Sequence, residues 1–508
     1  MVHFRVCSSE HTYNSGRHFC AELSPNMQSN WSFRFTHKFL SILGTLLLIS
    51  VQFLVLADDY ENPAYQPDSV HTNYGQPANS RFSSSSSFNH SELPIIVWWN
   101  KNLFPHFSGD NMATIHCSVG SCVTTTVKKR KNDPRTRGFI FYGTDFRPYE
   151  TPLPRQPHHE WALLHEESPM NNYILSHQPM LELFNHTATF RRESDYPLTL
   201  QHLPSLAYLT DRAPVPLREK NLLRETAGLA PVAYIQSHCG VPSDRDSYVQ
   251  ELMKHVKVDS LGKCIHNKDL PDELVNTLTM EEDGFLGIIS KYKFHIAFEN
   301  GLCRDYMTEK LFRPLHLGVV PIYWGSEAAK DWTPNDHSII LKDDFASPKE
   351  LADYINFLDQ NDDEYQKFLE YRQPNGITNR LLVEEMERRP WGPGSMEEPN
   401  FINGFECHVC DRIVERLQAE RLHEDNPWGN TLLPPRMGQY SHMGCPQPTR
   451  AVDNEDTSAP GKEWLEYDWV NDFWGSMDMA HALKLMIQTG EKDAGKLFKY
   501  VDKLHDMH

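Results

Sequence analysis

The feature that most constrains this sequence is a strand, a helix and a second strand following one another between Phe294 and Tyr323. The run Phe294-His-Ile-Ala-Phe298 is apolar and suits a buried strand. After a polar loop, Thr308 predicts a helix N-cap, Leu311, Leu315 and Leu317 its buried face, and Gly318 its C-cap. Val319-Val-Pro-Ile-Tyr323 reads as the next strand. Strand, crossover helix and strand in this order imply a parallel sheet with a right-handed connection. Such a sheet binds its ligand at the C-terminal ends of its strands, where the helices begin.

The same pattern starts earlier. Val232-Ala-Tyr-Ile predicts a strand, and Ser243 predicts the cap of a helix through Tyr248, Leu252 and Val256. Residues 229–390 therefore form one α/β unit. Upstream, Ile95-Ile-Val-Trp-Trp, Gly138-Phe-Ile-Phe-Tyr, Trp161-Ala-Leu-Leu and Thr187-Ala-Thr-Phe are short strand-like runs, with a helical turn predicted at Met180-Leu-Glu-Leu-Phe. They predict a second α/β unit over 93–222. With 508 residues the chain has room for both cores. Residues 391–450 carry Cys407-His-Val-Cys410 and Cys445 as an extension, and 451–508 form an acidic, Trp-bearing tail.

The N-terminal part has another character. Phe39 to Leu56 is apolar and just long enough to span a bilayer as a helix. Arg34, His37 and Lys38 precede it, and Asp58, Asp59 and Glu61 follow. That asymmetry predicts residues 1–38 in the cytosol, a membrane anchor at 39–56 and the remainder in a lumen. A cleavable signal peptide starting at Met27 and ending Val55-Leu56-Ala57 is the alternative. Residues 57–92, rich in Pro, Asn, Gln and Ser, read as a stalk. Asn89-His-Ser and Asn185-His-Thr are glycosylation acceptor sequences. Cys117, Cys122, Cys239, Cys264, Cys303, Cys407, Cys410 and Cys445 form an even set, expected as disulfides in a lumen rather than as a zinc site; spacing does not give the pairing. The net charge of -19 argues against nucleic acid as a partner, so a phosphate-bearing ligand needs a local basic pocket.

Two cations answer that need. Arg245 and Lys310 each fall in the first turn of a predicted helix, where the helix dipole disfavours positive charge. A pyrophosphate between them removes the anomaly, because helix N-termini and cations then act together. Asp244-Arg245-Asp246 is the one DxD triplet. Its acids suit a helix first turn and are not expected to hold a metal.

The stretch from Phe294 to Tyr323 also resembles the donor motif of the α-1,3-fucosyltransferases, glycosyltransferase family 10. The matching residues are Phe298-Glu-Asn300, Asp305-Tyr-Met-Thr-Glu-Lys310 and Gly318-Val-Val-Pro321. Glu167-Ser-Pro169, Leu183-Phe-Asn185 and Phe190-Arg-Arg-Glu-Ser-Asp195 are similar to a second family segment. The Cys407-x-x-Cys410 pair and the extension to Cys445 resemble the subgroup called fucosyltransferases ten and eleven.

This resemblance implies a GT-B architecture, with two Rossmann-like domains facing a cleft and a single anchor and stalk before them. It implies metal-independent, inverting transfer of L-fucose from GDP-fucose. Glu167 would be the base, Arg245 and Lys310 would face the pyrophosphate, and Glu299, Asn300, Tyr306 and Glu309 would line the donor pocket. The expected reaction is α-1,3 transfer to N-acetylglucosamine of an N-glycan on a glycoprotein, in a Golgi membrane. The alternatives are transfer to Ser or Thr of a disulfide-rich protein module, with the endoplasmic reticulum as the other address, and a GDP-sugar-binding protein without turnover. Acceptor choice is expected around Pro157-His-His-Glu-Trp161, where the subgroup departs from better-known members.

Overall fold

The computed structural model describes residues 92–106, 111–276, 280–392, 400–452 and 469–506. The expected cytosolic segment, anchor and Asn89, and all of the stalk but its last residue, lie outside these. Among the described residues no helix is long and apolar enough to cross a membrane.

Strands β1 (Ile95–Trp98), β2 (Met112–His116), β3 (Ser121–Thr125), β4 (Thr136–Tyr142), β5 (Glu160–His165) and β6 (His186–Thr189) form the first sheet, in the order β2-β3-β1-β4-β5-β6. Only β2 runs antiparallel to its neighbour, as one half of a hairpin with β3. The central strands are buried on both faces, which explains their unbroken apolar sequence.

The second unit alternates helix and strand: α1 (Leu217–Ala227), β7 (Val232–Tyr234), α2 (Arg245–Leu252), β8 (Val258–Ser260), α3 (Asp283–Ile289), β9 (Phe294–Phe298), α4 (Glu309–Leu317), β10 (Val320–Trp324), β11 (Ile340–Leu341) and α5 (Pro348–Gln360). Its five strands are all parallel, in the order β11-β10-β9-β7-β8. Thr308 caps α4 by accepting from the Lys310 N–H, and Gly318 closes it at φ +62°, a left-handed conformation that glycine adopts without strain. Leu311, Leu315 and Leu317 are fully buried, each contributing roughly 1.5–3 kcal/mol of apolar transfer.

The C-terminal segments return to the first sheet as α6 (Phe401–Asp425), α7 (Trp469–Gln488) and α8 (Leu497–His505). One face of that sheet, with Ile96, Ile140 and Leu164, packs on Phe405, Val409 and Ile413 of α6. The other, with Val97, Phe141 and Leu163, shares a core with Phe473, Leu483 and Met486 of α7. The described part of the tail is thus a layer of the fold.

All eight cysteines among the described residues pair. Cys117–Cys407 and Cys122–Cys410 fasten the β2–β3 hairpin to one face of α6, where residues three apart lie side by side. Cys239–Cys264 and Cys303–Cys445 complete the set.

Three expectations change. Ser243 does not cap α2; its hydroxyl donates to the Glu299 carbonyl at 2.7 Å, and the N-cap is Asp244, in left-handed backbone at φ +54°. Asn185 is buried: its amide donates to the Arg436 carbonyl at 2.8 Å and accepts from Trp161 N and Arg155 Nη2. The residue is 7% exposed in the folded chain, not the open surface position that an acceptor sequence suggests. Glu160, expected near the acceptor, stands at the start of β5, bound to His186 at 2.5 Å and Arg416 at 2.8 Å. At about 3.3 Å per residue, β5 carries it far from Glu167, which follows the other end.

Candidate functional site

The C-terminal ends of β4 and β5 face those of β7 and β9 across a cavity of about 840 Å³. Tyr142, Thr144, Glu167 and Asn171 line it from the first unit. Arg245, Asn300, Glu309 and Lys310 line it from the second. Five of the seven expected site residues therefore meet in one cavity; Glu299 and Tyr306 stand just behind its wall.

Arg245 reaches the cavity because Asp244 turns the chain at the head of α2. Its guanidinium is buried, with Nη1 donating to the Phe298 carbonyl at 3.0 Å and Nη2 to the His238 carbonyl at 2.9 Å. Its Nε has no partner among the described residues. Two carbonyls thus fix the planar group and leave its Nε–H without a partner among the described residues. The flanking acids are committed elsewhere. Asp246 accepts from Tyr234 OH at 2.5 Å and Gly240 N at 3.1 Å, and Asp244 accepts from Ala451 N at 2.9 Å.

Lys310 sits one residue into α4. Burial opposes its charge, but Glu309 and Glu299 outweigh that and raise its pKa, so it stays a cation. Its Nζ lies 3.1 Å from Glu309 and 3.7 Å from Glu299. Burial also works against the Glu309 carboxylate, yet Lys310, His202 and Arg313 together hold it well below the usual carboxylate range. Glu299 is fully buried and accepts from Thr308 N at 2.8 Å and Thr308 Oγ1 at 2.9 Å. Its place is under the first turn of α4, so it supports Lys310 rather than lining the cavity.

Glu167 follows β5 and accepts from the Tyr306 hydroxyl at 3.1 Å. Tyr306, itself buried, accepts at its backbone carbonyl from Tyr323 OH at 3.1 Å, so a chain of contacts from β10 sets the Glu167 carboxylate. Next to it, Glu166 accepts from Tyr142 OH at 3.0 Å. Burial pushes the Glu166 carboxyl up to about 7. The two adjacent carboxyls thus accept from different tyrosines, Tyr142 and Tyr306.

The two resembling segments also touch. Arg192 grips Asp305 through Nε, at 3.1 and 3.0 Å, and through Nη2 at 2.5 Å, while Trp332 donates to Asp305 at 2.9 Å. Sequence reasoning missed Arg313, His295, His238 and Tyr142, which also line the cavity. Arg313 lies one turn beyond Lys310 on α4, and helical spacing alone could have found it.

Residues 228–425 match the family model described as "Glycosyltransferase family 10 (fucosyltransferase) C-term", and residues 91–201 match "Fucosyltransferase, N-terminal". The chain is 41% identical over 456 residues to the "GDP-fucose protein O-fucosyltransferase 3" of Gallus gallus, covering 87% of this chain and 92% of the relative. The protein of the same name from Bos taurus is 40% identical over 469 residues, covering 89% and 94%. A crystal structure of an α1,3-fucosyltransferase with GDP-fucose aligns over 66% of this chain and 94% of that chain, at 15% identity and a TM-score of 0.33. The relatives' names overturn the expectation of α-1,3 transfer to an N-glycan, because near-full-length relatives are named for transfer to protein. Both family models and these relatives place the chain in glycosyltransferase family 10, the fucosyltransferases.

Proposed function

We propose that this fucosyltransferase moves L-fucose from GDP-fucose to a Ser or Thr hydroxyl of a polypeptide, in a disulfide-bonded module. The observation that carries the reading is the placement of Glu167 in the same cavity as Arg245 and Lys310. The relatives' name supports the donor and the protein acceptor.

The reaction is one displacement at the anomeric carbon. The acceptor hydroxyl oxygen bonds to that carbon, its proton passes to Glu167, and the bond to the β-phosphate oxygen breaks. The transition state has oxocarbenium character, as in glycoside hydrolysis. A positioned carboxylate base is worth about 10²–10⁴-fold in rate. GDP leaves with growing negative charge, which Arg245 Nε–H and the Lys310 ammonium stabilise. No metal is needed in this scheme, since Asp244 and Asp246 are held by structural partners and the cations supply the charge.

Four disulfides suit an oxidising secretory lumen. Transfer to a folded, disulfide-bonded acceptor suits the endoplasmic reticulum, where such modules fold, better than the Golgi. Glu167→Gln tests the mechanism: transfer falls at least 100-fold while GDP affinity holds. Retained transfer would refute Glu167 as the base.

A further inference from the structure

Part of the cavity lining takes no part in the transfer chemistry. His295 is the second residue of β9. Side chains alternate along a strand, and Phe294, Ile296 and Phe298 fill the core on one face, so His295 points to the other. There it lines the cavity while 3% exposed, and neither ring nitrogen has a hydrogen-bond partner among the described residues. Arg313, three residues past Lys310 on α4, lines the same cavity at 5% exposure. Its Nη2 donates to Glu281 at 2.5 Å, but its Nε has no partner among the described residues.

Buried polar atoms are nearly always satisfied, so unpaired nitrogens of two side chains in one wall call for an explanation. Leu274, Phe285 and Ile289 complete that wall and make it apolar. Burial, then the Arg313 charge, lowers the His295 imidazole to about 3, so the ring is neutral and offers one donor and one acceptor. A cavity lined by the cations Arg245 and Lys310 and also by apolar side chains with a few buried donors matches a nucleoside diphosphate, its phosphates against the cations and its base against the apolar wall.

Bases differ in what they present to such donors. Guanine shows two adjacent acceptors, O6 and N7, whereas adenine replaces the first with an amino donor. We propose that His295 and Arg313 form the base-reading end of the cavity, donating side by side to O6 and N7 of guanine. The proposal rests on the GDP-fucose reading above and adds the residues that select the base.

Titration calorimetry on the full chain tests it, with GDP, ADP and inorganic pyrophosphate as probes. The wild-type chain prefers GDP to ADP. His295→Leu narrows that preference by about 10–100-fold, the range expected for a lost base contact, and leaves pyrophosphate affinity unchanged. His295→Asn, which keeps a donor and an acceptor on a shorter arm, regains part of the preference; it decides the matter if the Leu variant does not fold. An undiminished preference in either folded variant overturns the proposal. So does a fall in pyrophosphate affinity equal to the fall for GDP, which marks His295 as structural. A wild-type chain that binds pyrophosphate but no GDP refutes the donor reading itself.

Discussion

Glu299 gives a stability prediction whose size follows from its burial. Its carboxyl lies under the start of α4, and burial pushes it up to about 7 from an ordinary 4.5. The folded chain then holds this proton over a range where the unfolded chain has lost it. Its contribution to stability is fully present below pH 4.5 and is lost as pH rises through about 7. A gap of about 2.5 pH units, at about 1.36 kcal/mol for each, sets the effect at ~3 kcal/mol. Glu299→Gln removes this titration and keeps an acceptor for Thr308. The stability of the variant relative to wild type should therefore rise by ~3 kcal/mol between pH 4.5 and pH 8. Urea unfolding of both chains at the two pH values measures it, and the comparison cancels the titration of every other group, Glu166 included. If the two chains lose stability in parallel, or the variant loses more at pH 8, the reasoning fails.

Tyr306→Phe removes the hydroxyl that holds Glu167; kcat should fall about tenfold with the donor KM unchanged, as steady-state kinetics would show. Arg245→Lys keeps the charge but loses the fork bound to the Phe298 and His238 carbonyls, so GDP affinity by calorimetry should drop at least about tenfold. Cys303→Ser with Cys445→Ser opens a link spanning 142 residues and should cost roughly 2–5 kcal/mol in chemical unfolding.

Local signals were the legible part of this fold. Thr308 and Gly318 mark α4 because a capping hydroxyl and a left-handed glycine act within one turn, and the strand–helix–strand order then implies a parallel sheet. Ser243 misled because a serine before a helix is only a candidate cap. Here the Glu299 carbonyl, 56 residues away, claims its hydroxyl. Asn185 carries an acceptor sequence, but burial is a tertiary property that three residues do not encode. The disulfide partners of Cys407 and Cys410 lie 290 and 288 residues upstream, beyond any local rule. Arg245 and Lys310 could be singled out because cations in helix first turns are electrostatically odd. His295 could not, because in sequence it is one residue in an apolar strand. Only the face it points to, and the absence of partners there among the described residues, sets it apart.

The central claim is a protein acceptor. The most direct test incubates the chain with labelled GDP-fucose and a folded, cysteine-rich protein module that also bears an N-glycan. The account predicts label that survives enzymatic removal of the N-glycan and disappears when the modified Ser or Thr is replaced by Ala. Label released with the N-glycan would contradict it.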